Sequence, residues 1–260
     1  MKIVLNEQEL IHKALESKEF DEKNYGIVLR VLTKHYFLFG MDKQQVKDTL
    51  AVHIRERVKK YIHKDWISRI EYAIKNVQKY GVELVNIDKV DITETELQRI
   101  KDINDNDIEK IAFVYLVYAK ILNKIKSNND NWVGIKIKDI LKDALITKGY
   151  KSIREQQTVL RILNDMGLLR SSKKVDNTSE RVCFIDYTSD ISFSINDFRD
   201  YVLTYLRWKG ENIGNCETCS KLIQVKSNRK LYCLECWHHR EKELKKQWKR
   251  EHDKNKKVEV

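Results

Sequence analysis

The sequence predicts a mainly α protein of three consecutive modules, and three observations carry that expectation. Apolar residues recur at spacings of three and four through most of the chain, which is the mark of amphipathic helices. The 260 residues include no proline and only eight glycines, so the two strongest helix breakers are absent or scarce. Four of the five cysteines lie between Cys216 and Cys236, a clustering that suits a bound ion better than a disulfide framework. The preference for lysine over arginine and the lack of proline also follow from AT-rich coding, so pattern carries more weight here than composition.

Hydrophobic residues make up 42% of the chain, far from the low-hydrophobicity regime of disorder. The longest apolar run, Ile111 to Ala119, is about half of the roughly 20 residues needed to span a bilayer. The amino terminus, MKIVLNEQEL, turns polar by Asn6. No signal peptide or membrane span is expected, and the free cysteines point to reducing cytoplasm.

Residues 1–104 read as a helical module. Four amphipathic helices are expected at about 7 to 18, 24 to 39, 43 to 60 and 65 to 80. Between the second and third stands Gly40-Met41-Asp42, where glycine ends one helix and Asp42 caps the next with Gln45. A helix-turn-helix fits this join, but KQQVKDTLAVHIRERVKK shows no defined reading face and an ordinary helical hairpin is the better expectation. ELVNIDKVDIT alternates about Asp88-Lys89 like a small hairpin, and Thr93 to Glu96 then forms a capping box for a further helix.

Residues 105–209 change character. A long apolar helix, IEKIAFVYLVYAKILNKI, is followed by the polar loop KSNNDN, the short extended piece WVGIKI and the helix IKDILKDAL. Ser152 to Glu155 is another capping box, opening a helix that stops at Gly167. Leu168-Leu169-Arg170, the polar tip SSKKVDNTSE and the strand RVCFID complete a two-stranded wing. This order, with ILNDMGLLR at the turn from helix to wing, resembles the winged-helix family. On the capped helix, Ile153, Val159, Leu160, Leu163 and Met166 form the expected apolar face, leaving Arg154, Gln157, Thr158 and Arg161 on the opposite stripe. Arginine and glutamine are side chains that contact base edges, so these four are the expected DNA-reading residues. Lys173, Lys174 and Arg181 of the wing are the expected backbone contacts. Cys183, in an alternating strand, is expected in the core as a small thiol. A trailing helix is expected at about 197 to 208.

Residues 210–260 carry the strongest motif. Cys216-x2-Cys219 and Cys233-x2-Cys236 are separated by thirteen residues, and two residues between cysteines let one turn aim two thiolates at one ion. Four such thiolates suit tetrahedral zinc at about 2.3 Å. LIQVKSNRKLY is expected to form a tight hairpin turning at Lys226 to Lys230. Because Cys236 runs directly into WHHREKELKKQWKREH, the second pair is expected at the start of a basic terminal helix, giving a treble-clef or ribbon-like finger in which His238 and His239 are surplus. Trp237, Leu244 and Trp248 form a narrow apolar stripe on that helix, suited to packing on the finger or to a protein partner.

Net charge is +11 overall, and rises along the three modules from +2 to +4 to +5. Such basicity suits nucleic acid. Catalytic signatures are missing: there is no glycine-rich phosphate loop, no HExxH and no GxSxG. DINDND at Asp102 to Asp107 hints at a calcium loop, but Asp107 and Phe113 stand where glycine and glutamate are needed. The finger hairpin has no histidine to activate water as a His-Asn-His nuclease would. A non-enzymatic, sequence-reading DNA-binding protein is therefore expected, with RNA binding or a protein-adaptor role as alternatives. DFRDYVLTYLRWKGENIGNCETCSKLI with YCLEC and the basic helix resembles uncharacterised phage and prophage proteins of low-GC Gram-positive bacteria. The resemblance implies a mobile-element setting, in transcription, replication or packaging, and no particular activity.

Overall fold

The computed structural model describes residues 3–147, 149–150, 152–173, 178–225 and 230–258, with side chains as far as 250. The chain divides into two compact units, Lys2–Asp88 and Lys89–Val260.

The first unit holds α1 (Glu7–Glu16), α2 (Tyr25–Leu38), α3 (Lys43–Arg57) and α4 (His63–Tyr80). The Asp42 side chain accepts from the Gln44 and Gln45 amides and Gln45 returns to the Asp42 amide, so the capping box expected there is formed. α2 is the central helix, packed against the other three. Its inward residues Val28, Leu29 and Leu32 meet Val46, Leu50 and Ile54 of α3 and Trp66, Ile70 and Ile74 of α4 in one core. The tail of the unit closes on its head: Glu7 N–H donates to the Val85 carbonyl at 2.9 Å and Ile87 N–H to that of Leu5 at 2.8 Å. Glu7, only 1% exposed, is held by Lys34 Nζ at 2.7 Å and the Val85 amide at 3.0 Å.

The second unit is built round α6 (Asn106–Ile125), whose residues Ile111 to Ile121 are buried without a break. Asp105 caps it, accepting from the Asp107 and Ile108 amides, so the acidic run at 102–107 is a helix boundary. Before it come β1 (Val90–Thr93) and α5 (Glu94–Lys101), and after it β2 (Trp132–Val133), α7 (Ile137–Asp143), α8 (Ile153–Asp165), β3 (Leu169–Ser171) and β4 (Glu180–Val182). β2, β4 and β3 form an antiparallel sheet with β4 in the centre. α7 and α8 also pack on α6. β5 (Ile191–Ile195), α9 (Val202–Trp208), β6 (Ile213–Asn215), β7 (Leu222–Gln224) and α10 (Leu234–Val258) complete the unit.

Several expectations are corrected. The alternation at 83–93 is not a local hairpin: β1 pairs antiparallel with β5, some hundred residues away in sequence, from Val90 opposite Ile195 to Thr93 opposite Ile191. Its first half instead pairs with residues 5–7, so the division of the chain falls at 88/89 and not at 104. The finger strands belong to the second unit, β6 and β7 lying on α9. Cys183 is exposed, because Val182 and Phe184 point inward at 0% and 2% exposure and a strand alternates its faces. The trailing helix is shorter than expected, starting at Val202. On α8 the buried residues are Val159 and Leu163, whereas Ile153 is 74% and Met166 44% exposed. Both lie at the helix ends, where the apolar stripe leaves the core.

Candidate functional site

The cysteines converge through two local devices. β6 and β7 pair antiparallel from Ile213–Gln224 to Asn215–Leu222, and the turn joining them carries Cys216 and Cys219. Cys216 N–H donates to the Lys221 carbonyl, and Ser220 N–H to that of Cys216, each at 2.8 Å. Ser220 closes the turn at φ +59°. The β6–β7 hairpin turns at the first cysteine pair, and the turn expected at Lys226 to Lys230 falls on 226–229, which lie outside the described residues. Cys233 immediately precedes α10 and Cys236 sits in its first turn, where the Cys236 amide is 3.5 Å from the Cys233 sulfur.

The four Sγ atoms all lie within 4.8 Å of one another, an arrangement able to hold a metal ion. Cys216 and Cys233 are buried, and Cys219 and Cys236 half-buried. Burial opposes ionisation of Cys216, but the amides of Cys233, Cys219 and Thr218 aimed at its sulfur outweigh it and bring the thiol down to about 6. Cys236, hydrogen-bonded with the sulfurs of Cys233 and Cys219, is pushed up to about 12. Sulfurs this close cannot all carry charge without a cation among them. Neighbouring side chains fix the turn: Arg199 forks onto Asp197 and donates to the Cys219 carbonyl at 3.0 Å, Lys221 pairs with Asp200 at 2.9 Å, and Arg207 donates to Asn215 at 2.6 Å. The turn is therefore bound to the segment around α9.

α8 opens on the expected capping box. The Glu155 amide donates to Ser152 Oγ at 3.2 Å and the Ser152 amide to the Glu155 carboxylate at 2.9 Å. With Val159 and Leu163 inward, Arg154, Gln157, Thr158 and Arg161 are exposed together. Neither arginine forms an ion pair among the described residues, while the Thr158 hydroxyl is turned to the Arg154 carbonyl at 3.0 Å. Lys173 is exposed just beyond β3. Lys174 lies outside the described residues. Arg181 is less available than the others, its guanidinium donating to Asp130 Oδ1 at 2.6 Å and to the Asp130 carbonyl at 3.2 Å.

Sequence reasoning missed Glu180, which sits opposite Ser171 in the β3–β4 pair and is 4% exposed. The signal was present: if Val182 and Phe184 face inward, period two places Glu180 inward as well. Compared with protein-family models, curated proteins and solved structures, the chain matches none.

Proposed function

We propose that this chain is a sequence-reading DNA-binding protein whose segment α6 to β4 is a winged-helix domain and whose four cysteines hold a structural zinc ion in a treble-clef finger. The observation that carries the reading is the stripe Arg154, Gln157, Thr158 and Arg161. It is exposed on a capped helix that packs on α6 and on β3 of the β2–β4–β3 sheet, and the β3–β4 strand pair that follows is assigned as the wing. Rigid support of this kind lets side chains discriminate base edges in the major groove. Lys173 and Lys174 are assigned to phosphate contacts, which position without reading sequence.

Zinc fits the donor set. Tetrahedral zinc with bonds of about 2.3 Å separates its sulfurs by about 3.8 Å, and the Cys219 and Cys233 sulfurs are 3.8 Å apart. Zinc on four thiolates has no open position for a substrate, so its contribution is to cross-link the β6–β7 turn to the start of α10. The mobile-element setting follows the resemblance described above, and a cytoplasmic location follows the free cysteines. A protein-adaptor role through α10 is the second reading, favoured by exposure of Trp237 at 52% and Leu244 at 54%.

Selection of bound sequences from random duplex DNA, with random RNA in parallel, tests the proposal. Enrichment of a duplex motif is expected. Arg154→Ala and Arg161→Ala should relax preference at single positions by about 1 to 3 kcal/mol each. Lys173→Ala should weaken binding to all sequences alike and lower the salt slope by about one. If Arg154→Ala with Arg161→Ala leaves affinity and preference unchanged, the reading mode is wrong and the adaptor role takes its place. Enrichment from the RNA pool alone moves the assignment to RNA.

A further inference from the structure

Beside the proposed reading stripe, α8 borders a groove of about 680 Å³ that also runs along the start of α7 and the β3–β4 pair. Most of its lining surface is apolar, from Ile135, Ile137, Ile153 and Leu160, and the exposed cations Lys136 and Arg161 border it as well. Ile153 stands out there at 74% exposure, a β-branched apolar side chain left in water at the groove's mouth. Two buried polar groups interrupt this surface. Glu180 accepts from the Ser171 hydroxyl at 3.0 and 2.8 Å, has the Asn164 amide nearby, and meets no cation among the described residues. Tyr115, 1% exposed, lies close enough to Glu180 to feel its charge.

A carboxyl and a phenol buried without a charged partner are costly where apolar side chains would pack as well. Burial raises the Glu180 pKa, and the Ser171 and Asn164 hydrogen bonds only partly offset it. An apolar cleft with a few convergent polar groups is the usual form of a small-molecule site. Its chemistry selects the ligand. A cationic nitrogen would make a charge-assisted hydrogen bond to Glu180, whereas an anion would meet a like charge in a low-dielectric wall.

We propose that this groove binds a small apolar or aromatic molecule bearing a cationic nitrogen, which Glu180 receives while Tyr115 supplies a second polar contact. Gln157 and Arg161 also border the groove, so an occupant constrains two of the stripe residues. That coupling rests on the DNA-reading proposal, but the site itself does not.

The test uses the full chain without DNA. Benzamidine, benzamide and benzoate share a flat apolar body and differ in what they present to Glu180. Each is titrated while the methyl resonances of Ile135, Ile137, Ile153 and Leu160 are followed by NMR. Benzamidine should shift those methyls and bind about tenfold or more tightly than benzamide, with benzoate not binding. Glu180→Gln keeps the shape and a partner for Ser171, and should bring benzamidine down to the level of benzamide. Leu160→Trp, which fills the groove from its half-exposed side, should abolish binding of all three. If Glu180→Gln does not fold, Tyr115→Phe serves in its place and should weaken benzamidine and benzamide alike. The proposal is overturned if benzamidine fails to bind or shifts only other methyls. It is equally overturned if the three probes bind alike, or if the readable variant leaves benzamidine unaffected. A chain that binds benzamidine here but selects no duplex keeps the site and loses the DNA reading, so the two failures are distinct.

Discussion

Lys120 and Glu96 show how much rests on single side chains in the second unit. Lys120 Nζ, at 4% exposure, lies 2.7 Å from the Glu96 carboxylate at 0% and 2.7 Å from the Asp91 carbonyl. Glu96 also accepts from the Thr93 amide at 3.0 Å and the Asp186 amide at 2.8 Å, so the pair fastens β1, α5 and the segment after β4 to α6. Burial draws the Lys120 pKa down while Glu96 pulls it back up. Lys120→Met leaves the carboxylate buried without its cation and should cost roughly 3 to 5 kcal/mol in denaturant unfolding. Adding Glu96→Gln should return a large part of that loss. Equal losses in the single and double variants would show that the ion pair is not the source. His53, in the first unit, makes a different prediction. It is 6% exposed, its Nε2 has no hydrogen-bond partner among the described residues, and burial with the Arg57 charge lowers its pKa from 6.5 to about 4. The folded form therefore resists a proton that the unfolded chain takes up. Stability should be full above about pH 6.5 and fall progressively as pH drops towards 4. His35, also lowered by burial, adds in the same direction. His53→Leu should flatten most of the loss, measured as urea midpoint against pH. An unchanged profile would rule His53 out as its origin.

Among elements, what could be read from sequence was what closes within a few residues. The capping boxes at Asp42, Thr93 and Ser152 are all formed, because each is a bond between residues three apart. Replacing Ser152 by Ala should cost about 1 kcal/mol, read by thermal unfolding, and a change within error would mean that the start of α8 is held by packing alone. Cys216, Cys219, Cys233 and Cys236 were legible for the same reason, since each pair sits in one turn. Strand partners were not legible. Val90 to Thr93 alternate equally well for a local hairpin and for the distant β5 that they join, and local pattern cannot distinguish the two. Cys183 was misplaced by one phase of that alternation, and Glu180 was overlooked in it. The turn between β6 and β7 yields a metal prediction. The purified chain should carry about one zinc per molecule by elemental analysis. Chelation should change the fluorescence of Trp237, next to Cys236, while far-UV circular dichroism keeps most of its helical signal. Absence of zinc, or global loss of helix on chelation, would contradict a finger that staples one end of an otherwise self-sufficient unit.

At the scale of the whole chain, the division at 88/89 makes a prediction that the boundary read from sequence does not. The core from Phe20 to Ile74 draws all its members from α2, α3, α4 and the segments beside them. Its one deeply buried carboxylate among the described residues, Glu7, is satisfied by Lys34 and by the Val85 amide. Residues 1–88 thus hold a core of their own with its buried charge compensated. Extending the fragment to 104 adds β1 and α5 without β5 and α6, which cover them in the intact chain. Val90, Ile92, Leu97 and Ile100, each 0% exposed in the intact chain, would then face water, together with an open strand edge. The shorter fragment should therefore be monomeric and unfold cooperatively, and the longer one should self-associate. Sedimentation and thermal unfolding of the two, side by side, decide the matter. The complementary fragment 89–260 should retain the zinc and, if α8 reads DNA, the whole of the sequence preference. Should 1–88 prove unfolded while 1–104 is monomeric and cooperative, the first unit must extend through α5, and the pairing of β1 with β5 would not be what defines the boundary.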